Sequence, residues 1–523
     1  MSDSQAREQA LLAYDEVTPK PTSLITYRSS GRVIAIGGDD ALGKCKELPP
    51  GIDLGQISTS DPGNNVQISG YLGEFIVSVT DRHGNVTSTK ADAILDLHEN
   101  PLLNRELLPP GYFHVAPGDW DQQQVVEQLE DLVGEFDKPR YFDYDASICA
   151  HSVNGKTVCR LCIDACPADA IQSLVDRIEV NPFLCQGGGS CTTVCPSGAI
   201  RYLYPGIRDN GKRLRNMLRV YQEQGGEKGI ILFHGESYSP QAYLQAHDNL
   251  LPVRVEELAS VGMELCLSAL AFGATQVVLF ADDQVPASSL DNLNRQLDWL
   301  RVILVNLGLD PLSVSICSAE AQIAKIEVGE PIEAAIADLP DSKRNAFFQA
   351  LDHLTGSLKP VEPLVELPVP APFGEVIIDA AKCTLCMACV GACPGKALQD
   401  GANREVPEVF FIEANCLQCS ACVQTCPEDA ITLAPRMVFD RELRNRAHEL
   451  NSDTPFACIS CGKAFASTSV ISRMQEKLKG HYMFESERAL NRLKMCEDCR
   501  VADIVQDPEA MNGQFGPSNQ SRH

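Results

Sequence analysis

The sequence predicts a multidomain chain of mixed α+β and α/β architecture, and three observations predict it. At 523 residues the chain exceeds what one hydrophobic core usually organises and implies three or four domains. Short apolar runs alternate with helical patterns, as expected of βαβ units around a parallel sheet. A short motif, C-P-x-x-A-[I/L], occurs four times: CPADAI at Cys166–Ile171, CPSGAI at Cys195–Ile200, CPGKAL at Cys393–Leu398 and CPEDAI at Cys426–Ile431. The copies lie about 30 residues apart in each pair, and the pairs about 200 residues apart. A solenoid would keep one period throughout, so this is a duplicated two-fold module.

Taken in order, residues 1–140 read as an N-terminal α/β domain. Arg32–Ile36 is a short buried strand, and Leu72–Thr80 and Val86–Lys90 flank the Gly-containing turn Asp81–Asn85 as a hairpin. His83 sits in that turn and is assigned no ligand role. The loop Gly37–Gly43 lacks G-x-G-x-x-G spacing, and Asp39 and Asp40 would repel a pyrophosphate, so it reads as a structural turn. Residues 141–225 hold the first cysteine-rich module. The basic stretch Lys212–Arg219 reads as a solvated helix face.

Residues 226–355 form a second α/β domain, with strands at Gly229–His234, Pro252–Glu256, Gln276–Ala281 and Leu312–Cys317. Its strongest helix runs over Ser289–Leu307, where leucines recur at three- and four-residue steps before Gly308. Gly356–Gly374 contains five prolines, which bar a regular helix or a central strand, so a semi-rigid spacer is expected. Residues 375–440 are the second cysteine-rich module, 441–510 a small four-cysteine metal-binding domain and 511–523 a flexible tail.

Composition narrows the function classes. Lys+Arg is 44 against Asp+Glu at 70, a net charge of −26 that argues against a nucleic-acid surface. No apolar run nears the roughly 18 residues that span a bilayer. The amino terminus has neither a basic segment nor an apolar one behind it, so a soluble, cytoplasmic protein is expected.

In a reducing compartment the 22 cysteines need a use other than disulfides. Cys45, Cys266 and Cys317 stand alone and read as small buried hydrophobes; the other 19 are clustered. The C-terminal module reads Cys383-x2-Cys386-x2-Cys389-x3-Cys393-Pro394, then Cys416-x2-Cys419-x2-Cys422-x3-Cys426-Pro427. Three thiolates from one tight loop can hold three corners of an iron–sulfur cubane, while the fourth cysteine crosses to the other cluster. The expected [4Fe-4S] sets are therefore Cys383, Cys386, Cys389 and Cys426, and Cys393, Cys416, Cys419 and Cys422.

The N-terminal module is a distorted version. Its first set is Cys149, Cys159, Cys162 and Cys195, with nine residues between the first two cysteines instead of two. His151 lies in that insertion and reads as a solvated loop histidine. The partner run has Gly188 where a second cysteine would stand, which leaves Cys166, Cys185 and Cys191 for a [3Fe-4S] or incomplete [4Fe-4S] site. A last group, Cys458-x2-Cys461 and Cys496-x2-Cys499, resembles the two halves of a tetrahedral zinc site, with a helix at about Ser467–Leu478 between them.

At the Cys-Pro repeats the chain resembles the bacterial two-cluster ferredoxins, twice over. The strings ICAHS…CRLCIDACPADAI…FLCQGGGSCTTVCPSGAI and FACISCGKAF…LKMCEDCR resemble a family of large cytoplasmic ferredoxin-type proteins associated with formate dehydrogenase. The segment VGMELCLSALAFGATQVVLF is similar to a degenerate hydrogenase delta subunit. These resemblances imply two ferredoxin-like dicluster modules around a parallel α/β domain. They also imply single-electron relay with a redox partner such as a formate dehydrogenase or a hydrogenase-like enzyme. An accessory role in assembling a metallo-dehydrogenase, or a catalytic iron–sulfur subunit using the Gly188 position, are the alternatives.

Overall fold

The first element, α1 (Asp3–Asp15), is helical because Ala6, Ala10, Ala13 and Tyr14 recur at helical spacing and bury one face. After it come β1 (Leu24–Ser29), β2 (Arg32–Gly37), β3 (Asp53–Ser58), β4 (Asn65–Ser69), β5 (Phe75–Thr80), β6 (Val86–Ala91), β7 (Ala93–Asp96), β8 (Tyr112–His114) and β9 (Gly134–Pro139). A parallel sheet has the order β3-β2-β7-β8, β4-β5-β6 form an antiparallel meander, and β9 pairs back onto β1. The run Val33–Ile36 is apolar throughout because both faces of β2 are covered: Val33 and Ala35 enter one core, Ile34 and Ile36 the other. In the β5–β6 turn the Asp81 carboxylate accepts the backbone N–H groups of His83 and Asn85 at 2.8 and 2.9 Å.

This computed structural model describes residues 3–46, 51–116, 118–121, 125, 127–129, 131–153, 155–241, 244, 247–319, 329–401 and 406–508. The expected tail at 511–523 lies outside them. The chain divides into two units, residues 1–152 with 159–362 and residues 153–158 with 363–523.

The first unit continues with the N-terminal cysteine module: β10 (Phe142–Tyr144), α2 (Leu161–Asp164), β11 (Ile171–Ser173), β12 (Ile178–Val180), α3 (Ser190–Val194) and β13 (Ile200–Tyr202). Strands β10 and β13 pair antiparallel, as do β11 and β12, around a small core of Phe142, Ile171, Ile178 and Ile200. Next comes α4 (Ile207–Glu223), which packs against α1. Its basic stretch is not the solvated face expected from sequence. The Arg213 guanidinium lies 3.8 Å from the centre of the Tyr14 ring, and Arg215 pairs with Asp338 at 2.5 Å. Long cationic stems cover apolar surface and leave only their heads in water, and here even the heads find partners.

The second α/β layer comprises β14 (Ile230–His234), β15 (Leu250–Arg254), α5 (Met263–Ala271), β16 (Gln276–Phe280), α6 (Ala287–Asn306), β17 (Val314–Cys317) and α7 (Lys343–Leu358). Its sheet is wholly parallel, in the order β15-β14-β16-β17. Helix α6 ends before Gly308, which adopts a φ of 75°. Helix α7 enters the segment in which no helix was expected. It stops at Leu358 because Lys359 precedes Pro360, where helical backbone is disfavoured. Cys45, Cys266 and Cys317 are buried, at 1%, 2% and 5% exposure.

The second unit has β18 (Leu364–Glu366), β19 (Gly374–Ile378), α8 (Ala388–Ala392), β20 (Leu398–Asp400), β21 (Glu408–Phe411), α9 (Ala421–Thr425), β22 (Ile431–Val438), β23 (His448–Ser452), β24 (Pro455–Ala457), β25 (Ala464–Ser467), α10 (Thr468–Leu478), α11 (Glu487–Arg492) and α12 (Glu497–Val505). The sheets are β18-β22-β19, β20-β21-β23 and β24-β25. The proline-rich segment thus contributes one edge strand, the position proline tolerates. Ser467 caps α10 by accepting the Val470 N–H at 3.1 Å and donates its hydroxyl to the Thr384 carbonyl at 2.7 Å. No described helix is long and apolar enough to cross a membrane.

Candidate cluster-binding sites

In the second unit eight cysteines line two small cavities. Cys383, Cys386, Cys389 and Cys426 line one; Cys393, Cys416, Cys419 and Cys422 line the other. Each cavity draws three thiols from one run and the fourth from its partner. The backbone explains the gathering. Cys386 sits between Leu385 and Met387, with φ of 53° and 60°, and Cys419 between Gln418 and Ser420, with φ of 52° and 65°. Two left-handed residues within three coil the loop, a conformation that costs a side-chain-bearing residue about 1–2 kcal/mol and therefore persists only where the surroundings impose it.

The C-P-x-x-A repeat also has a backbone meaning. Its fourth position is left-handed in every copy: Asp169, Gly198, Lys396 and Asp429 have φ of 50°, 70°, 53° and 48°. That turn aims the next N–H at the motif's own sulfur. Ala170, Ala397 and Ala430 donate to Cys166, Cys393 and Cys426 Sγ at 3.3, 3.2 and 3.4 Å. The remaining copy differs: the Ala199 N–H goes to Ser197 Oγ at 3.2 Å, and that hydroxyl lies 3.6 Å from Cys195 Sγ.

In the N-terminal module Cys149, Cys159, Cys162 and Cys195 group together, as do Cys166, Cys185 and Cys191. Burial, and then the neighbouring thiols, push Cys162 and Cys191 upward; burial chiefly raises Cys159 to about 11 and Cys389 to about 12. Thiols crowded together out of water resist ionisation, and a polycationic core offsets that resistance. Gly188 lies between Gly187 and Gly189, with φ of 83° and 76°, the same left-handed bracket that surrounds Cys386 and Cys419. It therefore holds the backbone place of a second cysteine. A Cβ there would meet Pro167 at 3.6 Å, an ordinary contact.

His151 is a correction to the sequence reading: it is 2% exposed, not solvated. Its Nδ1 lies 2.8 Å from the Cys159 carbonyl and its Nε2 2.7 Å from Ser173 Oγ, while the Cys159 N–H reaches the His151 carbonyl at 3.4 Å. This reciprocal pair pinches the insertion shut, so Cys159 returns beside Cys149. Spacing also gives no hint of Lys138. Its ammonium donates to the Phe183 and Cys185 carbonyls at 3.0 and 2.7 Å and to the Tyr27 hydroxyl, and burial pushes it down to about 8.

Near the C-terminus the sulfurs of Cys458, Cys461, Cys496 and Cys499 lie within 4.8 Å of one another, and Cys461 and Cys496 are 3.7 Å apart. Burial works against Cys458 ionising, but the N–H groups of Cys496, Cys461 and Ser460 outweigh it and bring the thiol down to about 6. A thiolate ready at neutral pH is what a soft metal ion requires.

Residues 382–431 match the 4Fe-4S dicluster domain family, and residues 178–201 match the 4Fe-4S binding domain family. The chain carries two ferredoxin-type 4Fe-4S domains. The N-terminal match takes in Cys185, Gly188, Cys191 and Cys195 and leaves Cys149–Cys166 outside it. No curated protein matches the chain.

Proposed function

We propose that this protein relays single electrons between an oxidoreductase, with a formate dehydrogenase as the first candidate, and an acceptor. The observation that supports this most is the gathering of fifteen cysteines into four groups, each combining thiols from both runs of its module. On this reading three groups hold [4Fe-4S] clusters: Cys149, Cys159, Cys162 and Cys195; Cys383, Cys386, Cys389 and Cys426; and Cys393, Cys416, Cys419 and Cys422. Cys166, Cys185 and Cys191 hold a [3Fe-4S] cluster, since Gly188 supplies no thiolate. When bound, such clusters accept and release one electron at a potential set by cluster type, hydrogen bonds to sulfur and solvent exposure. The chain's own residues aim the N–H groups of Ala170, Ala397 and Ala430 at the sulfurs.

Cys458, Cys461, Cys496 and Cys499 are assigned to zinc. Four thiolates about 2.3 Å from a tetrahedral ion lie about 3.8 Å from one another, close to the 3.7 Å between Cys461 and Cys496.

Anaerobic purification with iron, sulfide and zinc analysis and EPR tests the assignment. About fifteen irons and one zinc, with both [3Fe-4S] and [4Fe-4S] signals and reduction by a partner enzyme, are expected. About eight irons confined to the C-terminal module would overturn the relay and favour an accessory role in enzyme assembly.

A further inference from the structure

Lys138 reaches the N-terminal cysteine module from a strand of the domain that precedes it. It stands on β9, which pairs antiparallel with β1, and Tyr27 lies diagonally across from it on that partner strand. The ammonium sits 4.7 Å from the centre of the Tyr27 ring and donates to its hydroxyl, which in turn donates to the Phe183 carbonyl at 2.5 Å. It also reaches the Phe183 and Cys185 carbonyls directly, at 3.0 and 2.7 Å. Tyr27 is buried, and Tyr71 stacks on Phe183 with ring centres 4.5 Å apart, so aromatic rings wall the ammonium in.

Every acceptor this cation meets is neutral. Among the described residues no carboxylate pairs with it: Glu135 on the same strand goes to Arg28 at 3.0 Å, and Asp137 to the Thr26 hydroxyl at 2.6 Å. A lysine drawn out of water is ordinarily paired with an anion. The group whose charge acts on Lys138 is Cys185: its thiolate favours the ammonium, and the ammonium favours the thiolate. A cluster held by Cys166, Cys185 and Cys191 is anionic, because three thiolates outweigh the positive charge of the core, and it gains a further negative charge on reduction.

We propose, on the iron–sulfur reading of these three cysteines, that Lys138 is the counter-ion of their cluster and holds its potential above the value the thiolates alone would give. A fixed cation beside a site that becomes more negative stabilises the reduced form, and does so more strongly behind aromatic walls than in water. Its contacts with the module lie at Phe183 and Cys185, so the effect is local to the group that lacks a fourth thiol.

Redox titration followed by EPR, on the intact protein purified anaerobically, reads the clusters side by side. In Lys138→Met the oxidised [3Fe-4S] signal is expected to persist to lower potential. Reduction of that cluster should be about tenfold less favourable or worse, which is about 59 mV for one electron. Lys138→Gln keeps an N–H for the carbonyls and removes the charge, so it should shift the same way. Lys138→Arg keeps the charge and should stay within about threefold of the native equilibrium. The [4Fe-4S] midpoints should hold in all three variants. Iron lost from this site in the Met and Gln variants but retained in Arg would carry the same conclusion, because charge separates Arg from Gln. An unchanged midpoint in either neutral variant that keeps the cluster, an equal shift in Arg, or loss of the cluster from all three overturns the proposal. A native protein without the [3Fe-4S] signal overturns the cluster assignment and the counter-ion with it, whereas an unmoved midpoint overturns the counter-ion alone.

Discussion

The two cysteine modules start from one repeat and differ in how they gather their thiols. The C-terminal module does it chiefly with local backbone. Left-handed brackets around Cys386 and Cys419 coil two tight loops, which Ser467 and the Glu375 carbonyl brace from outside the runs. The N-terminal module has lost both economies. One loop carries an insertion, itself a small hairpin, that a buried histidine pins beside Cys159, and the other keeps its left-handed bracket but presents Gly188 inside it. The lesson is that backbone geometry and ligand identity are separable: the bracket persists where the cysteine does not, and a cysteine group persists where the bracket does not.

Removing a thiol from the C-terminal module should have the largest effect. Cys389→Ser is expected to lower iron by about four per chain and to weaken the module as a whole, because its cavity takes a crossing thiol, Cys426, from the other run. Iron analysis and EPR of the reduced protein check this; full iron in the variant would break the crossed assignment.

Restoring the missing thiol should come next. Gly188→Cys places a side chain where a Cβ meets only ordinary contacts, within backbone already shaped for cysteine. Iron is expected to rise by about one per chain, with loss of the oxidised [3Fe-4S] signal. An unchanged signal would show that the bracket does not face the cluster.

Much of this was legible in the sequence, for identifiable reasons. Cysteines at fixed short spacing mark loops whose geometry is local, and the continuous apolar run Val33–Ile36 marks a strand covered on both faces. What stayed hidden depends on contacts distant in sequence. His151 in a polar loop looks solvated until Ser173 and the Cys159 carbonyl close around it. Lys138 lies 47 residues from the Cys185 carbonyl it binds, and no spacing rule joins them. Arg213 reads as surface charge because its partner, Tyr14, is 199 residues away.

The histidine gives the third prediction. His151→Ala takes the ring away from the Cys159 carbonyl and from the Ser173 hydroxyl, which keeps only the Val175 N–H at 3.4 Å, and loosens the insertion, at a cost of about 1–3 kcal/mol. Thermal unfolding should shift downward, and the iron of the Cys149 group should be lost first on exposure to a chelator. The C-terminal signals, which need no such closure, should persist. Equal loss from both modules would erase the contrast drawn between them.

The smallest expected effect isolates the one irregular copy of the repeat. In three copies an alanine N–H reaches the motif's own sulfur, but at Cys195 the Ser197 hydroxyl takes that N–H. Ser197→Ala removes the competitor, so the Ala199 N–H can turn to Cys195 Sγ as its counterparts do. A donor to sulfur favours the more negatively charged, reduced cluster, and the N–H groups of the regular copies reach sulfur at 3.2–3.4 Å against the 3.6 Å of the Ser197 hydroxyl that is lost, so the potential of the Cys149–Cys195 site should rise. A net hydrogen bond is worth about 1 kcal/mol, and about 1.4 kcal/mol corresponds to 59 mV for one electron, so the shift is bounded at about 40 mV. Ala168→Ser places a hydroxyl at the matching position of the regular Cys166 copy and should lower that site's potential by a similar amount. Redox titration followed by EPR reads both variants. Shifts of the same sign, or none, would mean that the third residue of the repeat does not control which group the sulfur meets.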